Sequence, residues 1–357
     1  MNKKIGNYLF PSSDTHFERW ILEGEYQAKQ RDALFEFMDD RRKIEYIIDV
    51  GGHVGLWSRP MMRRADTKYI WAFEPNKTVR ECYVLNMGGF DNYSFRRNGK
   101  VMKLLTKLSI ENLFHPFQTF ILGQKNLAPK FAAKFDIPLI FYGENEAEYG
   151  NPIADNMSSL RDKSYYSFNN LDEIYLGGTS IKDLQDKHDV RLSDLMSFLP
   201  PTEEELHNKK IEVHYLGYYL KWIPQEVYYY AVENTGFKAR PFRTQGTYSK
   251  YNSIDDKIDD LHYYTTFIKF GIGRTTYDAS QEIRNSHITR EEACALVKRF
   301  DGEFPDRYFD EIMEYIGMDP DHFHELETKF RSPHLWGKDE SDDWKLRHNV
   351  NLIGLND

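Results

Sequence analysis

Short apolar runs that end at glycine or acidic residues mark the chain before about residue 225. The run IEYIIDV (44–50) is rich in β-branched residues and is followed by two glycines, a pattern typical of a buried strand and a tight turn. KYIWAFE (68–74) and DIPLIFY (136–142) repeat this pattern. A strand, a glycine turn, a helix and a second strand form a βαβ arrangement, which builds a parallel sheet.

Helical periodicity predicts most of the remaining elements. The stretch 117–135 reads as a helix interrupted near Pro129, and 211–222 as a strand or a mixed element. Beyond about residue 225 the pattern is mostly helical. Capping boxes begin at Thr202 and Thr289, and Gly317 is placed to end a helix. The polar stretch 151–170 and the tail after about 331 are expected to be the most flexible regions.

These patterns predict an α/β fold: a parallel Rossmann-like nucleotide-binding sheet with a mostly helical C-terminal region. A chain of 357 residues can hold two domains or one elaborated domain. The first segment offers only two clear strands, too few for a stable sheet of its own. We therefore expect the strand near 47–50 to lie in the same sheet as the strand near 138–142.

Composition narrows the class of protein. The net charge of −9 argues against a general nucleic-acid binder. No apolar run reaches the roughly 18 residues that span a bilayer, and no signal-peptide core is present, so a cytoplasmic protein without membrane partners is expected. Cys82 and Cys294 stand alone, which excludes a zinc knuckle. His322 and His324, two apart on a predicted helix, point away from each other, and no metal site is predicted.

The first motif is DVGGHVGLWS (49–58), followed by AFEPN (72–76). Gly51 and Gly55 let backbone approach a ligand, and Glu74, 23 residues after Gly51, can accept hydrogen bonds from ribose hydroxyls. Asp49 can orient the turn or meet the ligand. These residues resemble the FkbM family of S-adenosylmethionine-dependent methyltransferases over about 17–100. The resemblance implies Asp49, Gly51, Gly55 and Glu74 as cofactor residues. The family's later acidic motif has no counterpart, and the alternative is that only the ancestral fold remains.

A second and longer resemblance begins near residue 104. LTKLSIENLFHPFQTFILGQKNLAPKFAAKFDIPLIFYGENEAEYGNP, RTQGTYSKYNSIDDKIDDLHYYTTFIKFGIGRTTYDASQEIRNSHITREE and KFRSPHLW resemble the N-acetyl sugar amidotransferases of surface-polysaccharide and flagellin-glycan biosynthesis. The resemblance implies an ATP pyrophosphatase. ATP would adenylate a sugar N-acetyl group, and ammonia from a separate glutaminase subunit would displace AMP to give an acetamidino group. The implied partner is a nucleotide-linked N-acetyl sugar.

The chain departs from that family at the ATP site. The family's phosphate loop, of the form SGGxDS, and its N-terminal cysteine motif are absent from the sequence. LGGTS (176–180) is similar but lacks the Asp-Ser ending, and we interpret it as a turn. Without a glycine loop the pyrophosphate lacks its backbone N–H donors, so weak or absent ATP turnover is expected.

Site residues are predicted at two places. The sequence YGENEAEYG follows a strand, where α/β sheets bind ligands; Gly143 is assigned to the cofactor, and Glu144, Asn145 and Glu148 to catalysis. Four cations in the best-matched stretch suit nucleotide-sugar phosphates, and they are Lys250, Lys269, Arg274 and Arg284. Asp255, Asp256 and Asp259 could serve as acids, bases or metal ligands, but an exposed helix face is favoured.

Three segments follow from the two resemblances: a methyltransferase-like βαβ segment (1–103), the rest of an amidotransferase α/β body (104–225) and its helical C-terminal region (226–357). The favoured function is that of an N-acetyl sugar amidotransferase-type protein, with ATP use impaired. A methyltransferase and a non-catalytic sugar-nucleotide-binding protein remain as alternatives.

Overall fold

The computed structural model describes residues 2–5, 8–11, 46–50, 69–73, 97–143, 158–207, 209–235 and 237–350. The chain divides into two compact units, each built from three segments. We call them the sheet unit (1–96, 123–173 and 197–237) and the helical unit (97–122, 174–196 and 238–357). The three-segment division drawn from the resemblances stays a prediction.

A parallel sheet of four strands organises the sheet unit. Its order is β4-β3-β5-β8, with β3 at Tyr46–Val50, β4 at Tyr69–Phe73, β5 at Leu139–Tyr142 and β8 at Glu212–Tyr215. The β3 strand pairs with β5 from Ile47↔Leu139 to Val50↔Tyr142. The prediction that these two strands share one sheet is therefore confirmed. Its interpretation as a Rossmann-like nucleotide-binding sheet stays a prediction.

Other elements are short. The β1 strand (Asn2–Ile5) pairs with β2 (Tyr8–Pro11) in an antiparallel hairpin. The region predicted to be a strand or mixed is mixed, because β8 is followed at once by a helix. The described helices of the sheet unit outside Gln118–Phe135 are Glu203–Leu206, Leu216–Tyr219 and Pro224–Thr235, with 3-10 turns at Lys163–Tyr165 and Leu171–Glu173.

The helix Gln118–Phe135 runs through Pro129 without a break, so the predicted interruption is wrong. Proline has no N–H, which leaves the carbonyl of Lys125 without its intrahelical donor. The Tyr142 hydroxyl, at the end of β5, donates to that carbonyl at 2.7 Å. A partner from the sheet therefore satisfies the group that the proline frees, and the helix can continue.

Replacing Tyr142 with Phe should lower the free energy of unfolding by about 1–3 kcal/mol, since a buried carbonyl loses its donor. In a Pro129→Ala background the backbone gains an N–H at this position that can reach the Lys125 carbonyl, and the same replacement should cost less. Urea unfolding of the two single variants and the double variant measures this difference. Equal costs in both backgrounds would contradict the account.

The helical unit contains the hairpin that includes LGGTS. The β6 strand (Tyr175–Leu176) and β7 (Thr179–Ser180) flank Gly177 and Gly178, whose φ angles are 60° and 69°. Such angles favour glycine, and the interpretation of this string as a turn is confirmed. The described helices of this unit are Gly99–Leu113, Ile181–His188, Leu192–Leu195, Ile258–Phe270, Arg274–Arg284, Arg290–Phe300, Phe309–Ile316 and Pro320–Phe330.

Helix ends in both units follow the sequence signals. Both capping boxes form, with Thr202 and Glu205 in the sheet unit and Thr289 and Glu292 in the helical unit. Gly317 ends the helix Phe309–Ile316 with a φ of 65°.

The tail, expected to be flexible, instead forms the antiparallel hairpin of β9 (Trp336–Lys338) and β10 (Trp344–Leu346). In the described parts of the chain, no helix combines the length and apolar character needed to cross a membrane.

Candidate functional site

Of the predicted cofactor residues, the structure describes Asp49 and Gly143, which lie at the carboxyl ends of β3 and β5. Asp49 lies in β3, opposite Ala72 of β4 and Phe141 of β5. Gly143 directly follows β5 and is exposed. The other predicted cofactor residues and the three predicted catalytic residues lie outside the described residues: Gly51, Gly55, Glu74, Glu144, Asn145 and Glu148.

The four predicted substrate cations occupy different settings in the helical unit. Lys250 and Arg284 are exposed. The Lys269 ammonium donates to the Leu113 carbonyl at 2.8 Å, at the end of the helix Gly99–Leu113. Arg274, the first residue of its helix, enters a cluster of polar side chains. That cluster is the candidate site, and we call it the Asp259 cluster; it comprises Thr247, Asn252, Ser253, Asp259, Tyr263, Arg274 and Asp278.

The loop RTQGT (243–247) carries part of the cluster and is held by buried charges. Asp260, 1% exposed, lies 3.5 Å from Arg240 and 3.8 Å from Arg307. The Gly246 N–H donates to Glu303 at 3.0 Å, and the Gly246 carbonyl accepts from Thr275 at 2.8 Å. These contacts fix the backbone beside Thr247.

Asp278 is the fixed carboxylate of the cluster. Its Oδ2 accepts from the Thr247 hydroxyl at 2.6 Å and from the Asn252 amide at 3.1 Å. Its Oδ1 accepts from Nε of Arg274 at 2.8 Å. Three donors on a residue that is 8% exposed set its position. Through Asp278 the Arg274 guanidinium is held with its carbon 5.2 Å from the centre of the Tyr263 ring.

Ser253 and Tyr263 form a hydroxyl pair beside that guanidinium. Ser253 adopts a φ of 54°, a left-handed conformation that is unfavourable for serine. Residues held in such conformations concentrate at functional sites. Burial raises the pKa of Tyr263 to about 12, so its hydroxyl stays protonated at neutral pH.

Asp259 corrects the expectation of an exposed helix face. Asp255 and Asp256 precede the helix Ile258–Phe270, and Asp259, in its first turn, is only partly exposed. Burial, and then the neighbouring Asp256 carboxylate, raises the pKa of Asp259 to about 7, against the opposing effect of a hydrogen bond from Ser253. The carboxyl therefore changes protonation state near neutral pH, as a general acid or base requires.

A pair of imidazoles lies next to the cluster. The rings of His262 and His115 are 4.7 Å apart, and Phe117 meets the His262 ring edge-on at 5.2 Å. Burial, and then the neighbouring His115 and Arg274, lowers the pKa of His262 to about 3. Burial also lowers the pKa of His115. Both rings are therefore neutral at pH 7.

The cluster offers proton transfer and anion recognition in one place. Asp259 can take or give a proton near pH 7, while the Arg274 guanidinium and the paired hydroxyls can orient a polar substrate. Sequence reasoning found Arg274 and considered Asp259, but missed Thr247, Asn252, Ser253, Tyr263 and Asp278. Their spacing carries no motif, because the loop and two helices bring them together. Their position within the best-matched stretch was the only available signal.

The predicted absence of a metal site is not tested by this structure. His322 and His324 contact Glu325 and Glu327 on their own helix, at 3.2 and 2.9 Å. Within the ranges that the structure describes, no group of three or more His, Cys, Asp or Glu side chains is arranged to hold a metal ion.

The comparison with protein families covers the part of the chain that holds the cluster. Residues 245–351 match the family model described as LPS biosynthesis protein WbpG-like, C-terminal domain. No curated protein matches the chain. All seven residues of the Asp259 cluster fall within the matched range. The C-terminal part of the chain is thus similar to a domain of LPS biosynthesis proteins.

Proposed function

We propose that the chain is an N-acetyl sugar amidotransferase-type protein of surface-glycan biosynthesis, and that the Asp259 cluster receives the nucleotide-linked N-acetyl sugar. The observation that carries the proposal is that the whole Asp259 cluster lies within the range matched by the WbpG-like domain. The match supports a role in LPS biosynthesis. The amidotransferase chemistry rests on the longer sequence resemblance and on a carboxyl group that titrates near pH 7.

In this proposal the reaction replaces an amide oxygen with nitrogen. ATP transfers its adenylyl group to the oxygen of the N-acetyl group and releases pyrophosphate. Ammonia then forms a bond to the acetyl carbon, and the carbon–oxygen bond breaks as AMP leaves with the electron pair. The attacking nitrogen must lose a proton, and the ionised Asp259 carboxylate can accept it. Arg274 is suited to the phosphates of the nucleotide sugar.

Glu144, Asn145 and Glu148 keep their predicted assignment to catalysis, and a glutaminase subunit remains the proposed source of ammonia. Because the sequence contains no SGGxDS string, we expect AMP formation to be weak. S-adenosylmethionine is the cofactor of the alternative function, for which the parallel pairing of β3 with β4 is the favourable observation.

Titration calorimetry tests the proposal with a UDP-linked N-acetyl sugar, the same UDP-sugar without its N-acetyl group, ATP and S-adenosylmethionine. We expect the N-acetylated compound to bind best. Arg274→Met should weaken its binding by about ten- to a hundredfold, since a hydrogen bond to a charged group contributes roughly 1.5–3 kcal/mol.

Arg284→Met is the matched control, because Arg284 lies on the same helix but is exposed and outside the Asp259 cluster, so the proposal does not keep its predicted contact with the substrate. It should bind the nucleotide sugar as wild type does. Binding of S-adenosylmethionine without binding of either UDP-sugar would overturn the proposal in favour of the methyltransferase. Equal losses of affinity in Arg274→Met and Arg284→Met would show that the Asp259 cluster is not where the sugar binds.

A further inference from the structure

We propose that Arg161, Tyr166 and Tyr215 form a binding site for a phosphate-type anion beside strand β8 of the parallel sheet. The three residues belong to the sheet unit and lie outside the range matched by the WbpG-like domain. The inference does not depend on N-acetyl sugar chemistry, and it assigns a phosphate-binding group to a chain that lacks the SGGxDS loop.

The position of Arg161 is fixed by the sheet. Leu160 forms an antiparallel bridge with His214 of β8, and the Arg161 N–H donates to the Val213 carbonyl at 2.8 Å. Because this bridge is antiparallel, Arg161 lies beside Val213 within β8, and Ser159 lies beside Tyr215, the last residue of the strand.

Two aromatic rings flank the guanidinium of Arg161, a residue that is only 9% exposed. Its carbon lies 4.8 Å from the centre of the Tyr165 ring and 5.6 Å from that of Tyr215. Arginine with its planar fork is the usual partner of phosphate oxygens in such partly desolvated places. The site is built before any ligand arrives, because backbone bonds and ring contacts hold the side chain.

Among the residues that the structure describes, two buried hydroxyl groups near the guanidinium have no hydrogen-bond partner. They belong to Tyr166, 1% exposed, and to Tyr215, 6% exposed. Buried hydroxyls are normally paired, so these two exceptions indicate a missing acceptor. Tyr142, whose ring lies 5.9 Å from that of Tyr215, differs because its hydroxyl is bonded to the Lys125 carbonyl.

Tyr166 keeps its proton and can therefore donate a hydrogen bond to an anion. Burial raises the pKa of Tyr166 to about 12, with Asp162 and Glu212 acting in the same direction and Arg161 opposing them. The hydroxyl therefore remains a donor at neutral pH. The Asp162 carboxylate accepts from Ser164 at 2.8 Å, and Glu212 contacts His214 at 3.0 Å, so each has a partner of its own.

Thermal unfolding and titration with inorganic phosphate, pyrophosphate, UDP and ATP test the site on the full chain. Each anion that binds should raise the Tm of wild type in a concentration-dependent way. Arg161→Met should abolish the rise. Tyr166→Phe and Tyr215→Phe should weaken anion affinity by about ten- to a hundredfold while leaving the anion-free Tm equal to or above that of wild type, because an unpaired buried hydroxyl is removed.

Two controls separate this site from general effects. Tyr142→Phe should lower the anion-free Tm and leave anion affinity unchanged, the reverse of Tyr166→Phe. Lys163→Met removes an exposed cation of the same segment and should change neither quantity. Tighter binding of UDP or ATP than of pyrophosphate identifies a nucleotide as the source of the anion. Equal affinity identifies free phosphate or pyrophosphate.

Three results would overturn the inference. The first is that none of the four anions binds. The second is binding that Arg161→Met leaves intact. The third is a fall in the anion-free Tm of Tyr166→Phe, which would show that a water molecule already pairs with the hydroxyl. Because inorganic anions contain no sugar, failure of this site and failure of the proposed sugar chemistry give different results.

Discussion

Replacing Arg331 with Ala should lower the free energy of unfolding by about 3–5 kcal/mol, because it leaves a buried carboxylate without its counter-charge. Arg331 donates to Glu327, which is 8% exposed and also bonds the Tyr264 hydroxyl and the His324 ring. The Arg331 guanidinium carbon lies 5.2 Å from the Trp336 ring and 5.4 Å from the Trp344 ring. The Arg331 guanidinium thus connects the end of the helix Pro320–Phe330, through Glu327, with the tryptophan rings of the hairpin of β9 and β10.

Urea unfolding measures this loss. Lys187→Ala is the control, because its partner Asp183 is four residues away on an exposed helix face, and such surface pairs contribute about 0.2–1 kcal/mol. A double variant, Glu327→Leu with Arg331→Met, should recover much of the stability, since apolar residues can replace a buried pair. A loss for Arg331→Ala no larger than that for Lys187→Ala would contradict the account.

The second large effect is the dependence of stability on pH. His262 and Asp259 contribute to it in opposite directions. His262 has a pKa near 3 in the fold against 6.5 ordinarily, so below about pH 6.5 the unfolded chain binds the extra proton and stability falls with acidity. Asp259 has a pKa near 7 against 3.8, so between those values the folded chain holds the extra proton and stability falls as pH rises. Each slope is about 1.4 kcal/mol per pH unit.

Single variants separate the two slopes. Relative to wild type between pH 4 and 6.5, Asp259→Asn should make stability rise more steeply with pH by about 1.4 kcal/mol per unit. His262→Gln should change the slope by the same amount in the opposite direction. The charged neighbours remain in both comparisons: Asp255, Asp256 and Arg274 for Asp259, and His115 and Arg274 for His262.

Urea midpoints measured at pH steps through this range provide the slopes. The double variant should return to the wild-type slope, because the two changes cancel. Parallel profiles for wild type and both single variants would show that neither group has the shifted pKa given to it.

Hydrophobic patterning predicted the strands of the parallel sheet, because short β-rich runs have few alternatives. It also predicted the helix ends at Thr202, Thr289 and Gly317, where local hydrogen bonds decide the structure. It failed at Pro129, since the partner of the freed carbonyl is Tyr142, a residue far along the chain. It also failed at the tail, where Arg331 and two tryptophans stabilise a hairpin that local propensity does not favour.

The candidate site was less predictable because its residues, too, meet partners that are distant in the sequence. Arg274 and Asp259 could be singled out by charge, but nothing in the sequence tells that Asp259 is partly buried beside Ser253. Asp278 and Thr247 form an ordinary hydrogen bond between distant residues, and neither belongs to a motif. The anion site at Arg161 depends on two tyrosines whose unpaired hydroxyls are visible only in three dimensions.

Hydrogen exchange of the full chain, with and without a saturating UDP-linked N-acetyl sugar, tests the central claim most directly. The account predicts protection of peptides that cover Thr247 to Tyr263 and Arg274 to Asp278, and loss of that protection in Arg274→Met but not in Arg284→Met. Protection confined to residues 46–74, or none at a ligand concentration shown by calorimetry to saturate the protein, would contradict it.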